Sequence, residues 1–227
     1  MSEAVISEQV IIRTNPLVPA DCPFDDPAWG NAQAVKIASV RPESSDHIPE
    51  VMVKVVANDT HLALRFKVRD AYVMAVAEKL NDFVCLDSCV EFFVQPSGGT
   101  GYLNFELSMN GTMLLYHIRD CRRPEGKFLD FTPCTEEDTA GVRIFPTRPG
   151  RTFPEIAEPV EWELGLLIPL ELVCGKTSAP KPVSGTLWKA NFYKCADKTS
   201  HPHWLSWQPV PRLDFHDPSA FGSVVFE

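Results

Sequence analysis

Leu103-Asn104-Phe105-Glu106-Leu107-Ser108-Met109-Asn110-Gly111-Thr112-Met113-Leu114-Leu115-Tyr116-His117 decides the fold class of this 227-residue chain. Leu103, Phe105, Leu107 and Met109 alternate with polar residues, and Met113, Leu115 and His117 continue the alternation after the turn. Successive side chains of a strand point to opposite faces, so each run predicts a half-buried strand. Asn110-Gly111 lies between them, and both residue types tolerate positive φ. The stretch therefore predicts a β-hairpin.

The same period recurs outward from this hairpin. Val51, Val53 and Val55 alternate before an Asn58-Asp59 turn, and Leu62, Leu64, Phe66 and Val68 alternate after it. Val90, Phe92 and Val94 point one way, while Cys89, Glu91 and Phe93 point the other. Val142 and Ile144, then Val160 to Ile168, then Trp188 to Tyr193, then Ser223 to Phe226 supply further strands. Pro169 to Gly175 reads as one helical turn, opened by Pro and closed by Gly. Many short strands with regular turns predict an all-β, antiparallel β-sandwich. The two-sheet architecture is of the jelly-roll or immunoglobulin-like kind, with long Pro-rich loops at 146–159 and 180–182. Neither a repeat nor a linker divides the chain, so residues 1–227 are expected to form a single domain.

Composition narrows the partners. The chain is 44% hydrophobic, which supports a sizeable core. A formal charge of -9 without a basic block disfavours nucleic acid and an anionic membrane as partners. No stretch is long and apolar enough to span a bilayer. The start, Met1 to Glu8, lacks the basic-then-apolar pattern of a secretory leader. This predicts a cytoplasmic protein, or an exported one if a leader has been removed. The seven cysteines are odd in number and have no CxxC spacing, which predicts reduced, partly buried thiols.

Two stretches combine polar and flat aromatic groups. Asp82 to Phe93 carries acids at the mouth of a strand and Glu91 inside it. Trp188-Lys189-Ala190-Asn191-Phe192-Tyr193, leading to Leu205-Ser206-Trp207, carries amide, phenol and indole groups. A sugar needs hydrogen-bond partners for its hydroxyls and an aromatic plate for its C–H face. Trp207, in a loop between Pro202 and Pro209, is a candidate for that plate, with Trp204 three residues earlier.

The ordered set of segments resembles family-9 carbohydrate-binding modules and the wider DOMON-like sandwiches. The set is Asp25-Asp26-Pro27-Ala28-Trp29, Leu64 to Asp70, Leu86 to Phe93, Gly101 to Gly111, Trp188 to Tyr193, Leu205-Ser206-Trp207 and Asp214 to Gly222. The resemblance implies a sandwich that grips a terminal sugar between two tryptophans, with Glu, Asn, Gln and Arg groups around it. It carries the strand Glu onto Glu91, the second clamp tryptophan onto Trp207 and the strand Asn onto Asn191. Tyr193 stands in the position of the family's Gln. Cys85 stands where the first clamp tryptophan is expected, and Phe83, Trp204 or Tyr102 are the neighbours able to replace it. Arg65 or Arg119 would supply the arginine. The resemblance also permits calcium, although no EF-hand-like spacing requires it.

These residues support other chemistries too. Glu91 with Glu106 or Asp87 forms a candidate glycosidase pair. His201, His203 and His216 are candidate metal ligands, and His117 with Met109 or Met113 suggests a haem pair. A sandwich that has lost the clamp would instead bind protein. The principal expectation is non-catalytic carbohydrate binding through Trp207, Glu91, Asn191, Tyr193, Arg65, Arg119, Trp204 and Phe83.

Overall fold

Alternation in the sequence becomes two-faced strands in the structure. The computed structural model describes residues 8–13, 16 and 18–227. The reading of the first seven residues lies outside these. In chain order the strands are β1 (Glu8–Arg13), β2 (Val35–Lys36), β3 (Ser39–Val40), β4 (Glu50–Ala57), β5 (His61–Asp70), β6 (Val73–Ala75), β7 (Cys89–Gln95) and β8 (Tyr102–Ser108). They continue as β9 (Met113–Asp120), β10 (Asp130–Pro133), β11 (Arg143–Pro146), β12 (Thr152–Ile156), β13 (Val160–Pro169), β14 (Leu187–Cys195), β15 (Trp204–Ser206) and β16 (Gly222–Phe226). Helices are short: α1 (Glu136–Thr139) and α2 (Leu170–Thr177).

One sheet runs β10-β9-β8-β7-β14-β16, and the other runs β4-β5-β13-β11. β1 joins them. Its residues 8–11 pair with β16 and its residues 12–13 with β4, both in parallel. Every other pairing among the described residues is antiparallel. The Asn110-Gly111 hairpin forms as expected, with Gly111 at φ 94° and Leu107 opposite Met113.

The inner faces meet in one core. Val90, Phe92 and Val94 of β7 pack with Phe105 and Phe192 against Val53, Leu64, Phe66 and Leu166 of the other sheet. Phe66 and Phe192 make edge contact across the sandwich, with centroids 6.5 Å apart. Side chains of β7, β8 and β14 that point away from this core form the opposite face. Those of Glu91, Phe93, Tyr102, Asn104, Glu106, Asn191, Tyr193 and Cys195 are all buried. A C-terminal segment covers part of that face through Val210, Phe215, Ala220 and Phe221.

Two local expectations are corrected. α2 runs two residues past Gly175 and ends where Ser178 adopts a left-handed conformation at φ 58°. The loop at 146–159 is not wholly irregular, because β12 within it pairs with β6.

Candidate functional site

The covered outer face of β7, β8 and β14 leaves a hollow of about 350 Å³ near the C-terminal end of β14. Glu91, Glu106 and Cys195 line it from the strands, Cys85 from the turn before β7, and Trp204 from β15. Arg123, Asp214 and His216 close it from two loops. Antiparallel register explains this convergence. Glu91 lies opposite both Tyr193 and Glu106, and Cys195 lies opposite both Cys89 and Trp204.

Each polar group is fixed by a neighbour. The indole N–H of Trp204 donates to Asp197 Oδ1 at 2.7 Å, which sets the plane of the ring. Asn104 Nδ2 donates to Glu106 Oε1 at 2.8 Å. Cys195 Sγ donates to Glu91 Oε1 at 3.0 Å. Arg123 pairs with Asp214 at 3.2 Å and lies over the Phe128 ring. Tyr102 Oη and His216 Nδ1 are 2.8 Å apart.

Burial sets the charge of the floor. Desolvation, reinforced by neighbouring Glu106, raises the Glu91 carboxyl well above its ordinary value. Desolvation also pushes Glu106 up to about 7, against the hydrogen bond from Asn104. His216 is pushed down to about 3, first by burial and then by Arg123. Its 3.8 Å approach to Glu106 is therefore a contact with a neutral imidazole rather than an ion pair. The raised Glu91 carboxyl favours its protonated form, which can both donate and accept a hydrogen bond.

Of the residues expected from sequence, the structure brings Glu91 and Trp204 into this hollow together with Cys85. The others stand elsewhere. Ser206 pairs with Tyr193, so Trp204 and Ser206 share the Glu91 face while Leu205 and Trp207 turn inward. Trp207 is half-buried against the core, 5.6 Å from the Phe192 ring. Asn191 does share the Glu91 face, but its amide is consumed. Its Oδ1 accepts from the Gln208 N–H at 2.9 Å and its Nδ2 donates to the Gln208 carbonyl at 3.0 Å. Tyr193 stacks on Phe215 and donates to its carbonyl at 3.0 Å, so it supports the covering loop rather than facing the hollow.

Arg65 lies on the outer face of the other sheet, bonded to Glu163 at 2.8 Å and to the Ala20 and Phe145 carbonyls. Arg119 shares the face of His117 and pairs with Asp130. Phe83 is 68% exposed and does not line the hollow. Arg123 is the arginine that lines the hollow, and sequence reasoning missed it. Its signal was weak, because it sits in the irregular connection at 121–129. Asp214 and His216 belong to a segment that the resemblance included; Asp214 was given no role, and His216 was considered only as a metal ligand.

The remaining candidates are used structurally. Asp87 accepts from the Val76 and Ala77 N–H groups and from Ser108 Oγ. His117 Nε2 meets the Thr100 carbonyl at 2.7 Å and its Nδ1 faces Arg119, while Met109 and Met113 are core residues. His201 stacks on Tyr72, and His203 meets His47 rather than His216. Among the described residues, the two clusters of potential metal ligands are His47-Asp70-His203 and Cys89-Glu91-Cys195. Their nitrogen and sulfur donors do not fit calcium, which takes six to eight oxygens. A larger hollow of about 710 Å³ lies beside His47 and Tyr72. Its cation Arg69 is already paired to Glu161 and Glu50, and it holds no buried acid with a raised pKa.

Comparison with known proteins agrees with the sandwich fold. The family model for carbohydrate-binding family 9 matches residues 28–226. A proposed carbohydrate-binding protein from Bacteroides uniformis is 28% identical, with 97% of this chain and 99% of that chain covered and a TM-score of 0.81. A family-9 carbohydrate-binding module from Caldicellulosiruptor kristjanssonii, in complex with glucose, is 13% identical with a TM-score of 0.61, covering 97% of this chain and 96% of that one. The cellotriose complex of a module from the same organism is 14% identical with a TM-score of 0.60, covering 97% and 94%. No curated protein matches the sequence. The matched residues span nearly all of the sandwich, and this chain is a member of carbohydrate-binding family 9.

Proposed function

We propose that this chain binds a terminal sugar of a mono- or oligosaccharide, without transforming it, in the hollow beneath Trp204. One observation carries the reading. The indole of Trp204, the buried Glu91 and Glu106 carboxyls and the Arg123 guanidinium meet in a single hollow of about 350 Å³. That volume is near the lower end for small-ligand sites, which suits one sugar ring better than a chain. The indole plate offers stacking for a C–H face. Protonated Glu91 offers a donor and an acceptor to vicinal hydroxyls, and Arg123 adds a fixed donor. The structural relatives hold glucose and cellotriose, which makes glucose-type ends the first sugars to test.

Sugars form few apolar contacts, so affinity between about 1 mM and 1 µM is expected, or about -4 to -8 kcal/mol. Calorimetric titration with glucose and cello-oligosaccharides tests this. Trp204→Ala should weaken binding at least about tenfold. Unchanged affinity in a folded Trp204→Ala protein would remove Trp204 from the site. The direct pairing of Glu91 with Glu106 favours a hydrolytic second reading. Turnover of aryl glycosides that disappears in Glu91→Gln would establish it, and no turnover would leave binding alone.

A further inference from the structure

Below the hollow, the strands place two thiols and a carboxyl side by side. Cys89 and Cys195 are directly paired across β7 and β14, and Glu91 follows Cys89 by two residues on the same face. One donor atom from each lies within 4.8 Å of the others, and Cys195 Sγ is 3.0 Å from Glu91 Oε1. All three residues are buried, and neither cysteine is in a disulfide.

We propose that Cys89, Glu91 and Cys195 form a binding site for a thiophilic divalent ion, zinc foremost, with the fourth coordination position open to the hollow. Zinc bonds of about 2.3 Å to sulfur and 2.0–2.2 Å to oxygen place tetrahedral ligands roughly 3.5–3.8 Å apart. One pair stands at 3.0 Å and all three donors lie within 4.8 Å of one another, so they can close on an ion by small side-chain movements. Water from the hollow, which Glu91 and Cys195 line, completes the tetrahedron.

Protonation of the donors sets the pH dependence of the site. Burial, with the neighbouring acids, pushes Cys89 up to about 12, and Cys195 and Glu91 are raised well above their ordinary values. Here the Lys194 ammonium donates to the Cys195 backbone carbonyl at 3.0 Å rather than to a donor atom of the cluster. The other ligand cluster differs on this point. There the Lys194 ammonium, fully buried, lies 3.1 Å from Asp70 Oδ2 and 2.6 Å from His203 Nε2, so a cation already occupies the place of an ion. Zinc would invert the local pKa order at Cys89, Glu91 and Cys195. On binding, three protons leave to solvent, two from the thiols and one from Glu91, so affinity must rise with pH.

Titration of the reduced, chelator-treated full chain with cobalt(II), followed by zinc(II), tests the proposal. The expected result is one ion per chain, with a thiolate-to-cobalt charge-transfer band that zinc abolishes and that strengthens as pH rises. Cys89→Ser and Cys195→Ser should each weaken binding on the order of 100-fold, whereas Cys22→Ser should not. Absence of the band in the unaltered chain overturns the proposal, even if the variants fail to fold. So does an equal band in a folded Cys195→Ser protein. The proposal does not rest on the sugar reading, because cobalt absorption and sugar titration of metal-free protein succeed or fail separately.

Discussion

The difference between Trp204 and Trp207 turns on the face each residue occupies. Three positions apart, they turn to opposite sides of the sheet because Ser206, the last residue of β15, is the partner of Tyr193. Sequence shows the indoles but not this register, which depends on a strand that ends nine residues earlier in the chain. Trp207→Ala should therefore cost about 2–4 kcal/mol in denaturant unfolding while leaving sugar affinity in the folded protein unchanged. Asn191 was legible as an important amide, but not in its role. Its side chain holds both backbone groups of Gln208, so Asn191→Ala leaves a buried donor and acceptor unpaired. A loss of about 2–4 kcal/mol is expected in the same measurement. Unfolding midpoints equal to wild type would show that the amide does not tie the loop.

Glu106 makes a prediction about pH. Its folded pKa of about 7 lies above its ordinary 4.5. Between these values the folded state keeps a proton that the unfolded state has released. Stability is thus fully present below about pH 4.5 and falls as pH rises toward 7. Glu91, also raised, contributes a slope of the same sign. Glu106→Gln should flatten this decline by on the order of 2 kcal/mol when unfolding is measured across the window. An unaltered slope would show that Glu106 titrates normally.

At the scale of elements, the alternating runs were the legible part. β4, β5, β7, β8, β9, β13 and β14 follow period-two patterns long enough to read. β1 was missed because its meaning depends on distant strands. It joins the two sheets through partners at residues 56–57 and 223–226, a closure that no local pattern encodes. The short β6 and β12 were missed because β12 begins with Thr152, Phe153 and Pro154, which break the alternation. Packing of the N-terminal segment onto β13 adds a constraint that sequence showed only as a glycine. A Cβ at Gly165 would stand 1.8 Å from the Ala20 carbonyl oxygen. Gly165→Ala should therefore shift the urea midpoint by about 2–3 kcal/mol in stability, and an unshifted midpoint would contradict this close approach.

At the scale of the whole molecule, the sandwich turns one apolar face inward and uses the opposite face of one sheet for polar groups. The inner face supplies stability. The outer face, partly covered by the 209–220 segment, gives buried carboxyls a site with limited access to water. That covering raises Glu91 and Glu106 and makes the hollow suited to neutral hydroxyls rather than to anions. The net charge of -9 gives no attraction for an uncharged sugar, so its Kd should change less than about twofold between low and high salt. A strong salt dependence in the titration would point to a charged glycan.

The most direct test is a crystal structure of the chain soaked with the sugar that binds best in titration. A ring stacked on Trp204, with a hydroxyl within hydrogen-bond distance of Glu91, is the predicted result. A ring seated instead in the hollow beside His47 and Tyr72, or against Phe83, with the Trp204 hollow empty, would contradict the account.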